Sequence, residues 1–494
     1  MGETSPHDGM TQAERTRIVV AVLLVMMLAA LDQTIVSPAL PTIGAGLGDA
    51  AYLSWIISAY FLTATAVTPL YGKIADIKGR RPVLLAAVAI FVLGSIACAL
   101  APTMLALILG RALQGLGGGG LISLAQTVIG DVVAPRDRGR YMIYISAVWA
   151  TASIAGPVMG GVFAQHLNWS MIFWINLPLA GAAVAVSWQT LKRLPPVHRP
   201  HKLDFLGAGL VVAATTTFLL AFTWGGSAYA WASPVILGLL GLTAALISVT
   251  AWHLTRTDEA IIPMRVLANP VVMLSTLCVF CSTGGYIGIS VFSPLYFELA
   301  YGLDTAASGL GLVGFMVGTV LGANLGGRFM TRVPSYKAMV LWTGLGGLIV
   351  VALLALTAGW LTFALVEVLI FLFGMSIGVQ FPVCTVAVQN AVEPSDLGAA
   401  TATLSFMRSL GSVIGIAVLG AVLLSQGIVQ SLGEGAKAAA HAADQAAAAH
   451  AFSIVFGMTG AMLLLGLTFY AFVEEQPLRG RVHRAEAQHP PIEA

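Results

Sequence analysis

Val133-Ala-Pro-Arg-Asp-Arg-Gly139 and Val392-Glu-Pro-Ser-Asp-Leu-Gly398 carry one pattern, V-x-P-x-D-x-G, at two places roughly half a chain apart. Each opens a long apolar run. A second loop recurs more loosely, as Gly72-Lys-Ile-Ala-Asp76 and Gly327-Arg-Phe-Met-Thr331, at nearly the same offset. Two matching offsets imply that one plan has been used twice along the chain.

Apolar runs cover residues near 18–39, 52–72, 83–101, 104–127, 141–164, 171–190, 205–224, 233–253, 271–293, 306–326, 338–358, 361–386, 399–424 and 452–473. A helix needs about 20 such residues to cross about 30 Å of hydrocarbon, so fourteen membrane spans are expected. The repeat pairs the first six with the last six. The expected organisation is a cytoplasmic tail 1–17, a six-helix bundle 18–190, a linker 191–204, two inserted helices 205–254, a linker 255–270, a second six-helix bundle 271–473 and a disordered tail 474–494. The Ala-rich stretch 436–451 reads either as a helical extension of the last span or as a loop.

Composition agrees. Of 494 residues 58% are hydrophobic and only 9% charged, against roughly 25% charged in an ordinary soluble domain. That excludes a soluble enzyme, a secreted disulfide scaffold and a disordered chain. The net charge of +2 gives no basic excess for a nucleic-acid partner. All four cysteines sit within apolar runs, so no disulfide framework is expected. The first run is too long for a signal peptide and contains Asp32, so it is read as a retained helix.

Lysine and arginine set the orientation. With the N-terminus inside, the inner loops receive Arg15, Arg17, Lys73, Lys78, Arg80, Arg81, the cluster from Arg136 to Arg140, Lys192, Arg328 and Lys337, among others. Arg111 and Arg408 fall inside spans, and only Lys437 falls outside. Both termini are therefore expected in the cytoplasm.

Four ionisable groups lie at membrane depth, where each is costly unless paired or hydrated: Asp32, Arg111, Glu367 and Arg408. At 1.5 Å per residue, Asp32 lies about 9 Å from the outer edge of its span and Arg111 about 10 Å from its own outer start. They are level. Asp32 has two readings: a carboxylate that takes a proton or a cationic substrate in a central cavity, or a structural partner of Arg111 and Gln114. Glu367, a further candidate for proton or cation coupling, sits at a similar level in the other half, and Arg408 nearer the midplane.

The glycines of Gly72-Lys-Ile-Ala-Asp76-Ile-Lys-Gly79-Arg80-Arg81 permit a tight turn, and Asp76 can cap a neighbouring helix. Arg111-Ala-Leu-Gln114-Gly115 precedes a run of glycines. In Ala152-x-x-x-Gly156-Pro157-Val-Met-Gly160-Gly161, small residues let helices approach and Pro157 bends the helix. With Leu31-Asp32-Gln33-Thr34-Ile-Val36 and Phe173-x-x-Asn176-x-Pro178, these motifs resemble those of the major facilitator superfamily. The match is to its fourteen-helix drug/proton antiporter branch, and it covers nearly the whole chain. Ala152 departs from a usual glycine, and Thr331 stands where an acid is usual.

The resemblance implies an all-α carrier in the inner membrane that exports drugs against proton influx by alternating access. It makes Asp32 the leading proton or cation site. Asp76, Arg80 and Arg111, with Asp131, would couple bundle rocking to protonation, and Gly156, Pro157 and Gly160 would form a hinge. No cofactor and no metal are expected; there is no P-loop for ATP. The expected partners are a lipophilic, amphipathic, cationic small molecule, protons and membrane lipid, bound by a monomer. A periplasmic adaptor is left open. Met26, Trp55, Tyr60, Phe280, Tyr286, Phe292 and Phe381 could line a cavity for greasy cations, the aromatics through cation–π contacts, and Gln33, Gln114, Gln126, Asn324, Gln380 and Arg408 are further candidates to line it. The rivals are a carrier of the same fold for a specific metabolite, lipid or organic anion, and a polytopic membrane enzyme or sensor.

Overall fold

Thr11 and Glu14 form a reciprocal capping box, each bonding the other's backbone N–H, and start the first helix at Gln12. The computed structural model describes residues 11–47, 52–133, 135–190, 192, 204–226, 229–257, 263–303, 305–330, 335–426 and 442–478. Its principal helices are α1 (Gln12–Ile35), α2 (Leu53–Lys78), α3 (Arg80–Ala99), α4 (Met104–Val132), α5 (Pro135–His166), α6 (Asn176–Thr190), α7 (Phe205–Trp224), α8 (Pro234–Leu254), α9 (Pro270–Tyr301), α10 (Leu312–Phe329), α11 (Tyr336–Thr357), α12 (Phe363–Asn390), α13 (Leu397–Ser425) and α14 (Ala442–Ala471). Local chemistry marks many of the ends. Thr103, Ser233, Asn269 and Ser335 accept backbone N–H groups as N-caps. Gly79, at φ 90°, makes the turn between α2 and α3 that a side chain would strain.

Among the described residues, thirteen helices are long and apolar enough to cross a membrane. The segment α2, at 26 residues, is not among them. It carries threonines, two tyrosines, Pro69 and Lys73, and it lies in the interior, packed on α4, α7 and α13. Leu93, Leu105, Trp342, Leu356 and Phe472 are exposed around the outside, a surface suited to hydrocarbon rather than water.

Packing follows the repeat. α1 packs on α5 and α6, and α4 on both α2 and α3; α9 packs on α13 and α14, and α12 on both α10 and α11. Between the two groups α2 meets α13, and α10 meets α5. The helices α7 and α8 pair with each other, sharing a Thr243–Thr217 hydrogen bond of 3.0 Å, and α7 also touches α2 and α13.

Two boundaries differ from expectation, and a third had been read in two ways. Helix α1 takes in Arg15 and Arg17, which the apolar count left in a tail, and it stops at Ile35 before a turn at Ser37–Ala39 and a helix at Leu40–Leu47. The Ala-rich segment is helical from Ala442. The start of the expected tail is anchored: Tyr336 N donates to Glu475 at 2.6 Å, and Asn390 Nδ2 donates to the Pro477 carbonyl at 3.2 Å. Lys437, Thr331, most of linker 191–204 and everything beyond 478 lie outside the described residues.

Candidate functional site

Asp32, near the end of α1, is fully buried, and three side chains donate to it. Arg111 Nη1 reaches Oδ2 at 2.7 Å; Gln114 Nε2 and Asn176 Nδ2 reach Oδ1 at 2.8 and 2.9 Å. Ser95 Oγ accepts from Gln114 and Asn176, at 2.7 and 3.2 Å. Arg111 Nε also donates to the Ile56 carbonyl at 3.1 Å, and its guanidinium lies 4.4 Å from the Tyr60 ring centroid. One carboxylate thus ties together α1, α2, α3, α4 and α6. The helical rise had put Asp32 and Arg111 at one level, and they meet as a pair. Ser95 and Asn176 had no assigned role; the available signal was a polar side chain inside an apolar run.

A second cluster joins the two groups of helices. Asp76 accepts from Gly398 N at 3.2 Å and Ala399 N at 2.9 Å, and so caps the first turn of α13 from the end of α2. Arg80 pairs with Asp76 and, through Nε at 2.8 Å, with Asp131. A β-carbon at Gly398 would collide with the Asp76 carboxylate, and one at Gly72 would meet Ala402 and the Gly398 carbonyl. The contact requires both glycines. Burial pushes the Asp76 carboxyl up to about 6, against the pull of Arg80. Beside this cluster Gln389 Nε2 donates to the Gln126 carbonyl across the groups at 3.4 Å. Arg81 instead lies over the Trp188 ring at 4.9 Å.

The seam between α1 and α5 runs along Ala152, Gly156 and Gly160. Thr34 Oγ1 donates to the Ala152 carbonyl at 2.7 Å. A β-carbon at Gly156 would overlap Thr34, and one at Gly160 would overlap the Ile35 carbonyl. Gly161 has no neighbour that would meet a β-carbon, so it lies off the seam. The side chain of Pro157 is outside the described part.

Between the groups lies a cavity of about 1040 Å³. Gln33, Gln126 and Arg408 line it, together with Tyr60, Tyr286 and Phe381. The other candidates stand elsewhere. Asp32 and Gln114 are sealed behind the wall, Trp55 packs edge-on against Trp224 at 6.0 Å, Gln380 accepts from Ser282 at 2.8 Å, and Asn324 is off the lining. Glu367 does not line the cavity either. Its carboxyl lies against Gly311 and Gly314, before and at the start of α10, and its Oε1 is buried without a hydrogen-bond partner. The inserted α7 contributes Leu219, Phe222 and Thr223 to the cavity wall.

The cavity thus lies between two like-packed helix groups that meet at the Asp76 contact. The sequence model of the Major Facilitator Superfamily matches residues 22–416 and again 276–494, and the chain belongs to that family of multi-pass membrane transporters. It is 34% identical over 420 residues to an uncharacterised MFS-type transporter of Mycobacterium tuberculosis, covering 84% of this chain and 60% of that one. It is 32% identical over 418 residues to the multidrug transporter protein MdtP of Bacillus subtilis, covering 83% and 76%. Among solved structures, the proton:xylose symporter XylE bound to 6-bromo-6-deoxy-D-glucose superposes with a TM-score of 0.66 at 14% identity, over 94% of this chain and 97% of that one. That last likeness shows the fold.

Proposed function

We infer that the protein exports lipophilic small molecules across the inner (plasma) membrane in exchange for protons, using fourteen spans arranged as 6+2+6 with both termini in the cytoplasm. The observation that carries this reading is the bond of Asp76 to the start of α13. It joins the end of α2 in the first bundle to the head of α13 in the second. The positive-inside distribution supports placing that end in the cytoplasm, and on this reading the arrangement is that of a carrier closed on the inside. Release of this contact and closure of the opposite end would complete the alternation.

The Asp32 cluster supplies the coupling. A proton on Asp32 removes the charge that holds Arg111, and Arg111, Gln114 and Asn176 must then find new partners. Because Arg111 and Gln114 stand on α4 and Asn176 on α6, while Asp32 stands on α1, a change at one carboxyl alters the packing between three helices of the bundle. The multidrug relative adds weight to export of drug-like compounds. The test is reconstitution in liposomes with an imposed pH gradient. Uptake or release of a lipophilic probe should follow the gradient and stop with a protonophore. Movement that persists unchanged in Asp32→Asn would remove the proton role of that residue.

A further inference from the structure

Two walls of the cavity face each other in the register of the sequence repeat. On α13, Ser405, Arg408, Ser409 and Ser412 line it at i, i+3, i+4 and i+7, one face of a helix. On α5, Ser146, Trp149, Ala150 and Ser153 line it at the same spacing. The offset that carries Val133 to Val392 carries each of these positions onto its counterpart. Where one wall presents the Trp149 ring, the other presents the Arg408 guanidinium.

Arg408 is the only charged side chain among the described residues that line the cavity. Its Nε is buried without a hydrogen-bond partner, and no described carboxylate pairs with it. Its guanidinium lies 5.5 Å from the Phe381 ring centroid, and Phe381 packs edge-on against Tyr286 at 5.6 Å. The buried arginines of the first bundle differ: Arg111 is held by Asp32, and Arg80 by Asp76 and Asp131. Arg408 lies roughly 16 Å along α13 from its start, where an unpaired guanidinium is costly and marks a pathway by default. A cation in this cavity would meet a like charge and no carboxylate. An acid would find a planar fork of donors flanked by serine hydroxyls.

Resting on the reading of this cavity as the transport site, we propose that it takes amphipathic aromatic acids. The carboxylate or sulfonate is held by Arg408, and the apolar body lies toward Trp149, Phe61 and Phe222. This replaces the cationic substrate expected from the sequence.

The test uses three probes with one ring and one tether: pyrenebutyrate, pyrenebutanol and pyrenebutylamine. Their binding to the purified full-length protein is measured by equilibrium dialysis. The wild type should bind the acid most tightly and the amine least. Arg408→Gln should weaken the acid by about tenfold or more and bring it level with the alcohol. Arg408→Lys should keep a preference for the acid at lower affinity, and Trp149→Ala should weaken all three alike. The wild-type series needs no variant to fold, and an amine bound as tightly as the acid overturns the proposal. Unchanged acid binding in a folded Arg408→Gln also overturns it. In liposomes, acid that binds but does not move with the pH gradient would sink the export reading and leave this site standing. Movement of the amine but not the acid would leave export standing and sink this site.

Discussion

The two bundles share a packing pattern and treat their charges at membrane depth in opposite ways. In the first, Asp32 and Arg111 pair with each other and are bonded by Gln114, Asn176 and the Ile56 carbonyl, while Ser95 accepts from Gln114 and Asn176 in turn. In the second, Glu367 keeps a buried oxygen without a partner and Arg408 a buried nitrogen. These two do not meet, since Glu367 stands roughly 21 Å of helix from Phe381, the ring beside Arg408. A closed polar network inside one bundle can hold or release helices, while an open charge on a cavity wall awaits a ligand. On the proposed reading, equivalent scaffolds carry a coupling site on one side and a recognition site on the other.

The largest expected effect lies in the closed network. Asp32→Asn leaves Arg111 buried beside a neutral group, which should cost about 3–5 kcal/mol of stability and abolish pH-driven transport. Thermal unfolding and liposome flux measure the two losses separately. The double variant Asp32→Asn/Arg111→Gln should regain much of the stability and none of the coupling. Full recovery of flux would mean that the pair is structural only.

The seam comes next. Gly156→Leu forces a side chain into Thr34 at the α1–α5 contact and should cost about 1–3 kcal/mol. Gly161→Leu, off the seam, should leave the melting temperature nearly unchanged. In the open half, Glu367→Gln removes no partner and should shift stability by less than about 1 kcal/mol. If it destabilised the protein as much as Asp32→Asn, the contrast between the halves would fail.

Smaller effects are expected at the latch. Asp76→Ala strips an acceptor from two N–H groups of α13 and should bias the latch toward opening by about 1–2 kcal/mol. Cysteine cross-linking between the ends of α2 and α13 reads that bias. The pH dependence has a definite sign. Burial lifts Asp76 to about 6 in the latched form, and the carboxyl returns to its ordinary value once exposed. Protonation therefore favours the latched form: closure should be strongest in acid and weaken as the pH rises through about 6. A cross-linking yield that rises with pH would contradict this.

Much of the candidate site was legible in the sequence because charges in apolar runs are few and helical rise is regular. Asp32 and Arg111 could be matched in depth from their positions alone. The motif Gly72 to Arg81 announced a cap, but not that its target is the start of α13, whose glycine comes from the other copy of the repeat. Ser95 escaped notice, and Asn176 was read only as part of a motif, because a serine or asparagine inside a span has many available partners. Trp55, Gln114, Asn324 and Gln380 were placed at a cavity they do not reach, since depth along a helix says nothing about the face that is turned inward.

By itself the sequence determined the membrane setting, the repeat, the sites of intramembrane charge and the family. These follow from local composition and spacing, which a helix preserves as it folds. Only the tertiary structure decided that the acid is sealed away and that an arginine is left facing the cavity. Helix rotation and the meeting of the two bundles are set by packing between residues hundreds of positions apart, and the charge of the cavity wall is a property of those faces together.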